Sequence, residues 1–277
     1  MAKNTAARIV SRQVSARGIR THYLEGGEGP TLILLHSGEF GGCAEITWQF
    51  NLDALSRNFH VIAPDFLGYG RTEKLFSFED MWAKRVRHIA DFLLAIGVQN
   101  GHFIGNSMGG TMLLAVAAMP ECPWPIDRMA VVSGGGKIPN NDAREFMNGY
   151  DCSLAYMRGM VQRLLVNKAY HSDEAYIERR YRASLIPGAW ECTAAARFKS
   201  PGRVASEFRT EPDYSQIPFR TLIVAGAQDN LREPNYADAF VGQIPNAELF
   251  TMQNAGHFAQ IDDPVTFNAK VQQFLST

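Results

Sequence analysis

Short apolar segments that alternate with helical segments constrain the fold of this chain more than any other feature. Such segments, each the length of one strand, are residues 31–35, 59–63, 101–105, 129–133, 221–225 and 248–252. Strands that are apolar on both faces are typical of a parallel sheet covered by helices on both sides. Helices are predicted over residues 48–55, 78–96, 108–119 and 264–275. The chain is therefore predicted to form an α/β fold around a mostly parallel, doubly wound sheet.

Two regions depart from this alternation. Residues 9–23 are patterned as two strands joined by a turn at residues 16–18, which predicts a hairpin at the start of the fold. Between Gly136 and Pro218 the patterning is helical, without a candidate strand. We therefore predict an α/β core formed by residues 1–136 and 212–277, with a helical cap inserted over residues 137–211.

Composition excludes several classes of partner. The 277 residues include 27 Lys and Arg and 28 Asp and Glu, a formal net charge of −1, so no basic surface for nucleic acid is indicated. The apolar runs are strand-sized, far below the ~20 residues that span a membrane. The 4 cysteines are far apart, as expected for free thiols in a reducing compartment. We expect a cytoplasmic protein with a small-molecule substrate and neither nucleic-acid nor membrane partners.

The segment Gly-Asn-Ser-Met-Gly-Gly, from Gly105 to Gly110, lies between a predicted strand and a predicted helix. A nucleophile elbow requires this arrangement, because the tight turn strains the serine backbone and glycines two residues away on each side avoid a clash. The N-terminus of the following helix also offers N–H groups and a partial positive charge to an oxyanion. Ser107 is therefore the candidate nucleophile.

An acid and a histidine follow Ser107 in the chain order that such an elbow predicts. Asp229 and His257 each come directly after a predicted strand. The predicted strand that ends at Ser133 is followed by glycines and no carboxylate, which favours Asp229 as the acid. We expect His257 to take the proton of Ser107, while Asp229 orients the imidazole and stabilises its cation.

An oxyanion hole needs two backbone N–H groups. Met108 follows the candidate nucleophile, and Gly38 lies in the glycine-rich loop after the first apolar strand, so we predict that these two residues provide them. No histidine pair has metal-ligand spacing, and these glycines do not form a dinucleotide-binding motif. We therefore expect neither a metal site nor a dinucleotide site.

Other polar residues near these motifs are predicted to be structural. His36, at the end of the first apolar strand, is expected to make structural hydrogen bonds, and Asp65 to order the turn that follows it. His88 lies in a helical stretch and is expected at its surface. The substrate pocket is expected between the sheet edge and the cap, where candidate lining residues are Met147, Tyr150, Met157, Met160, Trp190 and Phe198. The alternative for most of these residues is that they pack the cap against the core.

Taken together, these motifs resemble those of the α/β-hydrolase fold superfamily over nearly the whole chain. The segments that carry the resemblance are 36–38, 65–70, 105–110, 226–229 and 256–257. The closest subgroup is the meta-cleavage product hydrolases, which hydrolyse a C–C bond in vinylogous 1,5-diketones formed by ring cleavage of aromatic compounds. The resemblance implies an enzyme without a cofactor, whose dienol substrate tautomerises to a ketone and is then attacked by Ser107 and water. It also implies a homodimer.

Three matches point to this subgroup. Asn106 precedes the candidate nucleophile and Met108 follows it, as in that family, where the asparagine contacts the dienoate end of the substrate. In the cap, Arg180 precedes Tyr181, which resembles a family pattern in which such an arginine pairs with the substrate carboxylate. Arg179 lies one position away and is the alternative.

The chain departs from the family pattern in three places. Ser37 stands where glycine is usual, residues 39–41 (Glu-Phe-Gly) replace Gly-Pro-Gly, and Phe258 replaces a tryptophan as a predicted substrate-binding residue. Glu39 is unusual in a site for an anionic substrate. An esterase or lactonase with the same triad is therefore the alternative, and a ligand receptor on this fold is a further one. Ser107 argues against haloalkane dehalogenases and epoxide hydrolases, whose nucleophile is an aspartate.

Overall fold

The computed structural model describes residues 8–198 and 211–276 of the chain. These residues form the strands β1 (Val10–Ala16), β2 (Ile19–Gly26), β3 (Thr31–Leu35), β4 (His60–Pro64), β5 (Gly101–Asn106), β6 (Ile126–Val132), β7 (Arg220–Gly226) and β8 (Ala247–Met252). They build one sheet in the order β1-β2-β4-β3-β5-β6-β7-β8. Strand β2 is antiparallel to β1 and to β4, and the other neighbours are parallel. The predicted mostly parallel sheet is confirmed.

Helices cover both faces of this sheet. The described helices are α1 (Ala44–Trp48), α2 (Leu52–Leu55), α3 (Met81–Ala95), α4 (Met108–Ala117), α5 (Asp142–Asn148), α6 (Leu154–Leu164), α7 (Glu174–Ser184), α8 (Ala189–Ala194), α9 (Asp238–Val241), α10 (Ala259–Asp262) and α11 (Pro264–Ser276). Helices α3, α4 and α9 contribute to one apolar cluster, and α1, α2 and α11 to another. The sheet is therefore wound on both sides, as the strand patterning predicts.

The position of β3 between two layers of helices explains why residues 32–35 are all apolar. Leu32 and Leu34 belong to one apolar cluster, while Ile33 and Leu35 belong to the other. Successive side chains of a strand point to opposite faces, so a strand between two helical layers must be apolar at every position. Full burial of each such side chain contributes roughly 1.5–3 kcal/mol to folding.

The predicted N-terminal hairpin is confirmed, and its turn has a local cause. Strands β1 and β2 pair in antiparallel register, with Ala16 opposite Ile19. The two turn residues, Arg17 and Gly18, have φ angles of 46° and 85°. Two residues with positive φ match the twist of the flanking strands, which makes this geometry a favoured hairpin turn.

The helix predicted over residues 48–55 is instead two short helices, α1 and α2. The break falls at Asn51, whose side-chain amide donates to Gln260 O and to Asn268 Oδ1, each at 3.0 Å. These partners lie more than 200 residues away in the chain, on α10 and α11. The bonds tie this point of the chain to the C-terminal helices and redirect it, which no local pattern could reveal.

Asp65 orders the turn after β4, as predicted. Its Oδ2 accepts the N–H of Arg71 and its Oδ1 accepts the N–H of Ala44, both at 2.8 Å. The Nδ1 atom of His22 lies 2.7 Å from Oδ2 of the same carboxylate. Asp65 therefore joins three separate segments of the core.

The prediction that His88 lies at a helix surface is wrong. Its side chain is buried, and its Nε2 lies 2.8 Å from Oγ1 of Thr21 in β2. The physical reason is that α3 packs against β1 as well as against α4, so the hairpin covers a helix face that would otherwise be exposed.

Helices α5 to α8 lie between β6 and β7 in the chain and form the region predicted as a cap. Their buried side chains share a third apolar cluster with Phe40, Leu231 and Phe258 of the surrounding loops. Residues 199–210 of the predicted cap lie outside the described residues. No described helix is both long and apolar enough to cross a membrane. All four cysteines are free thiols.

Candidate active site

The candidate nucleophile lies at a strained turn between β5 and α4. Ser107 has φ 52° and ψ −109°, an unusual conformation for a residue with a side chain. A Cβ added to Gly105 would lie 2.6 Å from the backbone of Gly109, and one added to Gly109 would lie 2.6 Å from Leu35 O. Both positions therefore require glycine, for the steric reason that the sequence motif suggested.

Ser107, His257 and Asp229 come together although they are far apart in the chain. The Oγ atom of Ser107 lies 2.8 Å from Nε2 of His257, and Nδ1 of His257 lies 2.8 Å from Oδ2 of Asp229. His257 and Asp229 are buried. A histidine with a hydroxyl on one nitrogen and a carboxylate on the other has the geometry needed to accept a proton from the hydroxyl.

The second carboxylate oxygen of Asp229 is also bonded. Oδ1 accepts the N–H of Leu231 at 2.8 Å. Burial on its own would raise the pKa of Asp229, but its interactions with His257, the hydrogen bond from the Leu231 N–H and the nearby Arg232 together hold the pKa below its ordinary value. Asp229 is therefore an anion that can stabilise the imidazolium form of its neighbour.

Arg232 fixes the loop that carries Asp229. Its guanidinium donates to Ser133 O at 2.7 and 3.2 Å and to Gly135 O at 2.8 Å. Ser133 directly follows β6 and has φ 51°, so these bonds hold a second turn with positive φ next to the elbow. The carboxyl ends of β6 and β7 are thereby locked together beside the candidate base.

The two predicted oxyanion residues adjoin each other. A Cβ added to Gly38 would lie 2.7 Å from Sδ of Met108 and 3.0 Å from its Cβ. Among the described residues, no acceptor is bonded to the backbone N–H of either Gly38 or Met108. Both groups are thus free to donate to a substrate oxygen.

His36 sets the direction of the Gly38 N–H. Burial lowers the pKa of His36, so the imidazole is neutral. Its Nε2 accepts the N–H of Phe66 at 2.9 Å, so Nδ1 carries the proton and donates to Ser37 O at 2.5 Å. The Ser37 carbonyl and the Gly38 N–H belong to one planar peptide and point in opposite directions. His36 therefore has the structural role predicted for it.

A cavity of about 670 Å³ opens over Ser107 and His257, a volume typical of sites for small molecules. It lies between the sheet edge and the cap. Of the six cap residues predicted as candidate lining, Met147 is among those that form its wall, whereas Phe198 is 67% exposed. Polar or charged side chains in the wall are Glu39, Tyr69, Arg85, Thr111, Asn140, Arg144, Asn148, Thr193 and Arg232.

Arg180 has a different partner from the one expected. Its Nη2 lies 2.6 Å from Oε1 of Glu39, and its Nη1 lies 3.1 Å from the Tyr176 hydroxyl. Arg180 is buried and does not belong to the cavity wall, whereas Glu39 does. Arg179 is exposed and donates to Gln49 Oε1 at 3.2 Å. The carboxylate of Glu39 is thus bonded to the guanidinium of Arg180, which the family pattern assigns to the carboxylate of the substrate.

The two other predicted substrate-binding residues lie at different depths. Phe258 forms part of the cavity wall, and the Arg180 guanidinium lies 5.2 Å from its ring centroid. Asn106 is fully buried and is not among the lining residues; its amide donates to Val132 O and to His257 O, each at 3.3 Å. Asn106 therefore supports the loop of the candidate base from below.

Sequence reasoning missed several residues of this site. Arg85, Arg144 and Arg232 are among the residues that line the cavity. The spacing of Trp82 and Arg85, three residues apart on a predicted helix, could have placed both on one face. Asp262 was also missed: its Oδ2 accepts the N–H of Gly256 at 2.7 Å, and its Oδ1 accepts backbone N–H groups at the end of the cap helix α6.

No group of three or more His, Cys, Asp or Glu side chains within residues 8–198 and 211–276 is placed to hold a metal ion. The chemistry available in the described site is that of its own side chains: a hydroxyl, an imidazole, a carboxylate and two free backbone N–H groups. This set can form and hydrolyse an acyl–serine intermediate.

A mostly parallel sheet with a serine at a strained strand-to-helix turn, followed in the chain by an acid and a histidine, defines the class of α/β hydrolases. The chain belongs to the alpha/beta hydrolase family, whose model matches residues 32–270. It is 32% identical to a 2-hydroxymuconate semialdehyde hydrolase of Pseudomonas putida, over 96% of this chain and 94% of that protein. It is 29% identical to a 2-hydroxy-6-oxo-6-(2'-aminophenyl)hexa-2,4-dienoic acid hydrolase of Metapseudomonas resinovorans, over 100% of this chain and 94% of that one.

The chain is also similar in structure to solved hydrolases. The meta-cleavage product hydrolase CumD of Pseudomonas fluorescens IP01 superposes with a TM-score of 0.84 at 27% identity, covering 96% of this chain and 97% of that chain. A serine hydrolase involved in carbazole degradation, CarC, superposes with a TM-score of 0.82 at 27% identity, over 97% and 99% of the two chains. The likeness extends through the cap as well as the sheet, because both alignments cover nearly the full length.

Proposed function

We propose that this enzyme is a serine hydrolase that cleaves a C–C bond in a vinylogous 1,5-diketone, a keto acid of the kind formed by ring cleavage of aromatic compounds. The observation that carries the proposal is its identity of 32% with a 2-hydroxymuconate semialdehyde hydrolase over 96% of the chain. The site supports it, since a serine bonded to a histidine faces a cavity large enough for such a molecule.

In the proposed reaction the dienol substrate first becomes a ketone by moving a proton onto the carbon that will leave. Ser107 then attacks the adjacent carbonyl carbon while His257 takes its proton, and Asp229 stabilises the resulting imidazolium. The carbonyl oxygen gains the negative charge, which the N–H groups of Gly38 and Met108 would stabilise.

Bond cleavage follows from this tetrahedral intermediate. Its carbonyl re-forms, the C–C bond breaks, and the electron pair leaves on the dienoate fragment, which is protonated with the proton held by His257. The carbonyl fragment remains as an ester of Ser107. A water molecule, deprotonated by His257, then hydrolyses this ester, so that one substrate and one water give two products.

Two further residues have proposed roles at the site: Phe258 in substrate binding and Asn106 in positioning the candidate base. Phe258 offers an aromatic face in the cavity wall, suited to a planar conjugated chain. Asn106 acts through the His257 carbonyl to which it donates, and its Oδ1 has no hydrogen-bond partner among the described residues. A cytoplasmic location, the homodimer, and the absence of a nucleic-acid partner or cofactor stay predictions from the sequence.

The proposal is tested with the wild type and 2-hydroxymuconate semialdehyde, by following the loss of its visible absorbance. We expect turnover that is abolished in Ser107→Ala and His257→Ala and unchanged in Arg179→Gln, whose side chain is exposed on the cap. The 6-methyl analogue, 2-hydroxy-6-oxo-2,4-heptadienoate, serves as a second substrate. Absence of turnover with both compounds in a folded protein would reject C–C hydrolysis.

A second candidate function, hydrolysis of an ester or lactone, is favoured by one observation. Glu39 faces the cavity and neutralises Arg180, which reduces the positive charge available to an anionic substrate. Ser107-dependent hydrolysis of a neutral aryl ester, together with inactivity toward both dienoates, would assign this function. A stoichiometric complex with a dienoate that is never turned over would instead indicate a receptor.

A further inference from the structure

We propose that Arg85 is the residue that binds the carboxylate of the substrate, in a subsite of the cavity formed with Tyr69, Trp82 and Thr193. This inference rests on the proposed function, since it assigns a place to the carboxylate of the keto acid. It differs from the expectation drawn from the family pattern, in which the anion binds Arg180.

The Arg85 guanidinium is held in the cavity wall from one side. Its Nε donates to Leu67 O at 3.1 Å, and the guanidinium carbon lies 4.9 Å from the ring centroid of Tyr69. The contact of its Nη1 is the thioether of Met108, with Sδ at 3.8 Å, and sulfur is a weak acceptor. The side chain is 5% exposed and belongs to the cavity lining. Its orientation is therefore fixed while its Nη atoms lack an oxygen partner among the described residues.

The other arginines at the site each have oxygen partners on two or more nitrogens. Arg180 is paired with Glu39 and bonded to Tyr176. Arg144 donates twice to Leu231 O, at 2.7 and 2.9 Å. Arg232 donates three times to backbone carbonyls of the loop that follows β6. Among the described residues Arg85 makes no ion pair. Its oxygen partner there is Leu67 O on Nε alone, whereas Arg144 and Arg232 each donate to carbonyl oxygens from two or more nitrogens.

A buried cation without a counterion is costly, because it has lost its hydration and gained no opposite charge. Burial lowers the pKa of Arg85, and the groups that oppose this are the side chains of Tyr69 and Cys192 rather than a carboxylate. A ligand carboxylate would supply the missing charge and accept two parallel N–H bonds, for which the planar guanidinium is suited. The site is therefore incomplete without an anion.

The position of Arg85 also fits the reaction. Its contact with Met108 places it beside the residue that follows the candidate nucleophile and is expected to hold the oxyanion. The Tyr69 hydroxyl donates to Gly38 O at 2.9 Å, so the ring under the guanidinium also touches the other oxyanion residue. A carboxylate on Arg85 would thus anchor the dienoate arm on the α3 side of the cavity, with its carbonyl end near Ser107.

The experiment uses sorbate (hexa-2,4-dienoate) as a competitive inhibitor of the Ser107-dependent hydrolysis of p-nitrophenyl acetate. Sorbate carries the conjugated carboxylate arm but no carbonyl to be cleaved, and sorbamide is its neutral counterpart. In Arg85→Gln we expect the inhibition constant of sorbate to rise about 10- to 100-fold, the range for loss of a charge-assisted pair of hydrogen bonds. That of sorbamide is expected to change less than 3-fold, by the same reasoning.

Matched variants separate this effect from others. Arg87→Gln changes an exposed arginine on the same helix and is expected to leave both constants unchanged. Arg85→Lys keeps the charge but not the planar fork, so its constant for sorbate should lie between those of the wild type and Arg85→Gln. It also provides the measurement if Arg85→Gln does not fold.

Two results would overturn the inference: sorbate inhibition that is unchanged in both Arg85 variants, or inhibition that is lost in Arg180→Gln and retained in Arg85→Gln. Cleavage of 2-hydroxymuconate semialdehyde by the wild type is measured in parallel. If the wild type cleaves this compound but sorbate binding does not depend on Arg85, the proposed function stands and the role of Arg85 in binding the carboxylate is rejected. If sorbate binding depends on Arg85 but no dienoate is cleaved, the anchor stands and C–C hydrolysis is rejected.

Discussion

The Nη2 atom of Arg180 lies 2.6 Å from Oε1 of Glu39, and their side chains are only 2% and 8% exposed. The two residues are 141 positions apart, on α7 of the cap and on the loop after β3. This ion pair joins cap to core at the cavity wall. A carboxylate such as Glu39 is unusual in a site for an anionic substrate, and the ion pair provides it with a partner of opposite charge.

Breaking this pair should destabilise the protein strongly. In Glu39→Gln or Arg180→Gln the remaining charge is buried alone, and a loss of about 3–5 kcal/mol in the free energy of unfolding is expected. The double variant should lose at least about 1 kcal/mol less than the sum of the single losses, because neither charge is then left alone. Urea unfolding of the four proteins measures this coupling.

The exposed pair of Arg158 and Glu174 is the control for this cycle. Its two bonds are 2.7 and 2.8 Å long, but both side chains are open to solvent. Solvent screening makes such pairs weak, so its coupling should be far smaller. Strictly additive losses at Glu39 and Arg180 would show that their short contact contributes no net stability.

Replacing Asp229 by asparagine should reduce kcat by about 10⁴-fold with a small change in KM, because the amide favours the wrong histidine tautomer and cannot stabilise its cation. The depressed pKa of Asp229 means that the carboxylate is ionised throughout the neutral range. Steady-state kinetics with a dienoate and with an aryl ester should show the same loss. A decrease of less than tenfold with both substrates would remove Asp229 from the catalytic group.

A methyl group at Gly38 should interfere with the oxyanion site. Its Cβ would lie 3.0 Å from Cβ of Met108, so the loop must shift and carry the Gly38 N–H with it. Loss of one oxyanion donor costs about 10²–10³-fold in kcat, and Gly38→Ala is expected to fall in this range. Gly242→Ala, where the added Cβ meets nothing within 4 Å, is the control. Wild-type kcat in Gly38→Ala would contradict the assignment.

His88 should make the protein less stable in mild acid. Burial lowers the pKa of His88 to about 4, whereas a histidine in the unfolded chain titrates near 6.5. Between these values the unfolded chain binds the extra proton, so the free energy of unfolding falls as pH drops from about 7 to about 4, by about 3 kcal/mol at most.

The variant His88→Gln isolates this contribution. Its amide can still bond to the Thr21 hydroxyl but does not titrate. Urea unfolding at several pH values should show a smaller loss of stability in acid for this variant than for the wild type. Parallel curves for the two proteins would mean that His88 is not the group responsible.

Local patterns determined a large part of this fold. The two-residue turn at Arg17 and Gly18, the uniformly apolar strands and the Gly105–Gly110 elbow each depend on residues that are neighbours in the chain. Each of these features is decided by steric or burial requirements of residues within a short stretch of the chain, so the sequence pattern is sufficient to predict it. The order of Ser107, Asp229 and His257 is also legible, because each follows a strand that ends at the same edge of the sheet.

Long-range contacts decided the rest. The burial of His88, the break at Asn51 and the pairing of Arg180 with Glu39 all depend on partners from distant parts of the chain. The helical spacing could place Arg85 on the same face as Trp82, but it could not show that this face is enclosed beside the nucleophile while Arg179 stays exposed. The tertiary packing decides that the charge of Arg180 is neutralised by a residue of the chain, whereas the charge of Arg85 is left for a ligand. The physical reason is that only the folded chain removes both guanidinium groups from water and fixes their neighbours.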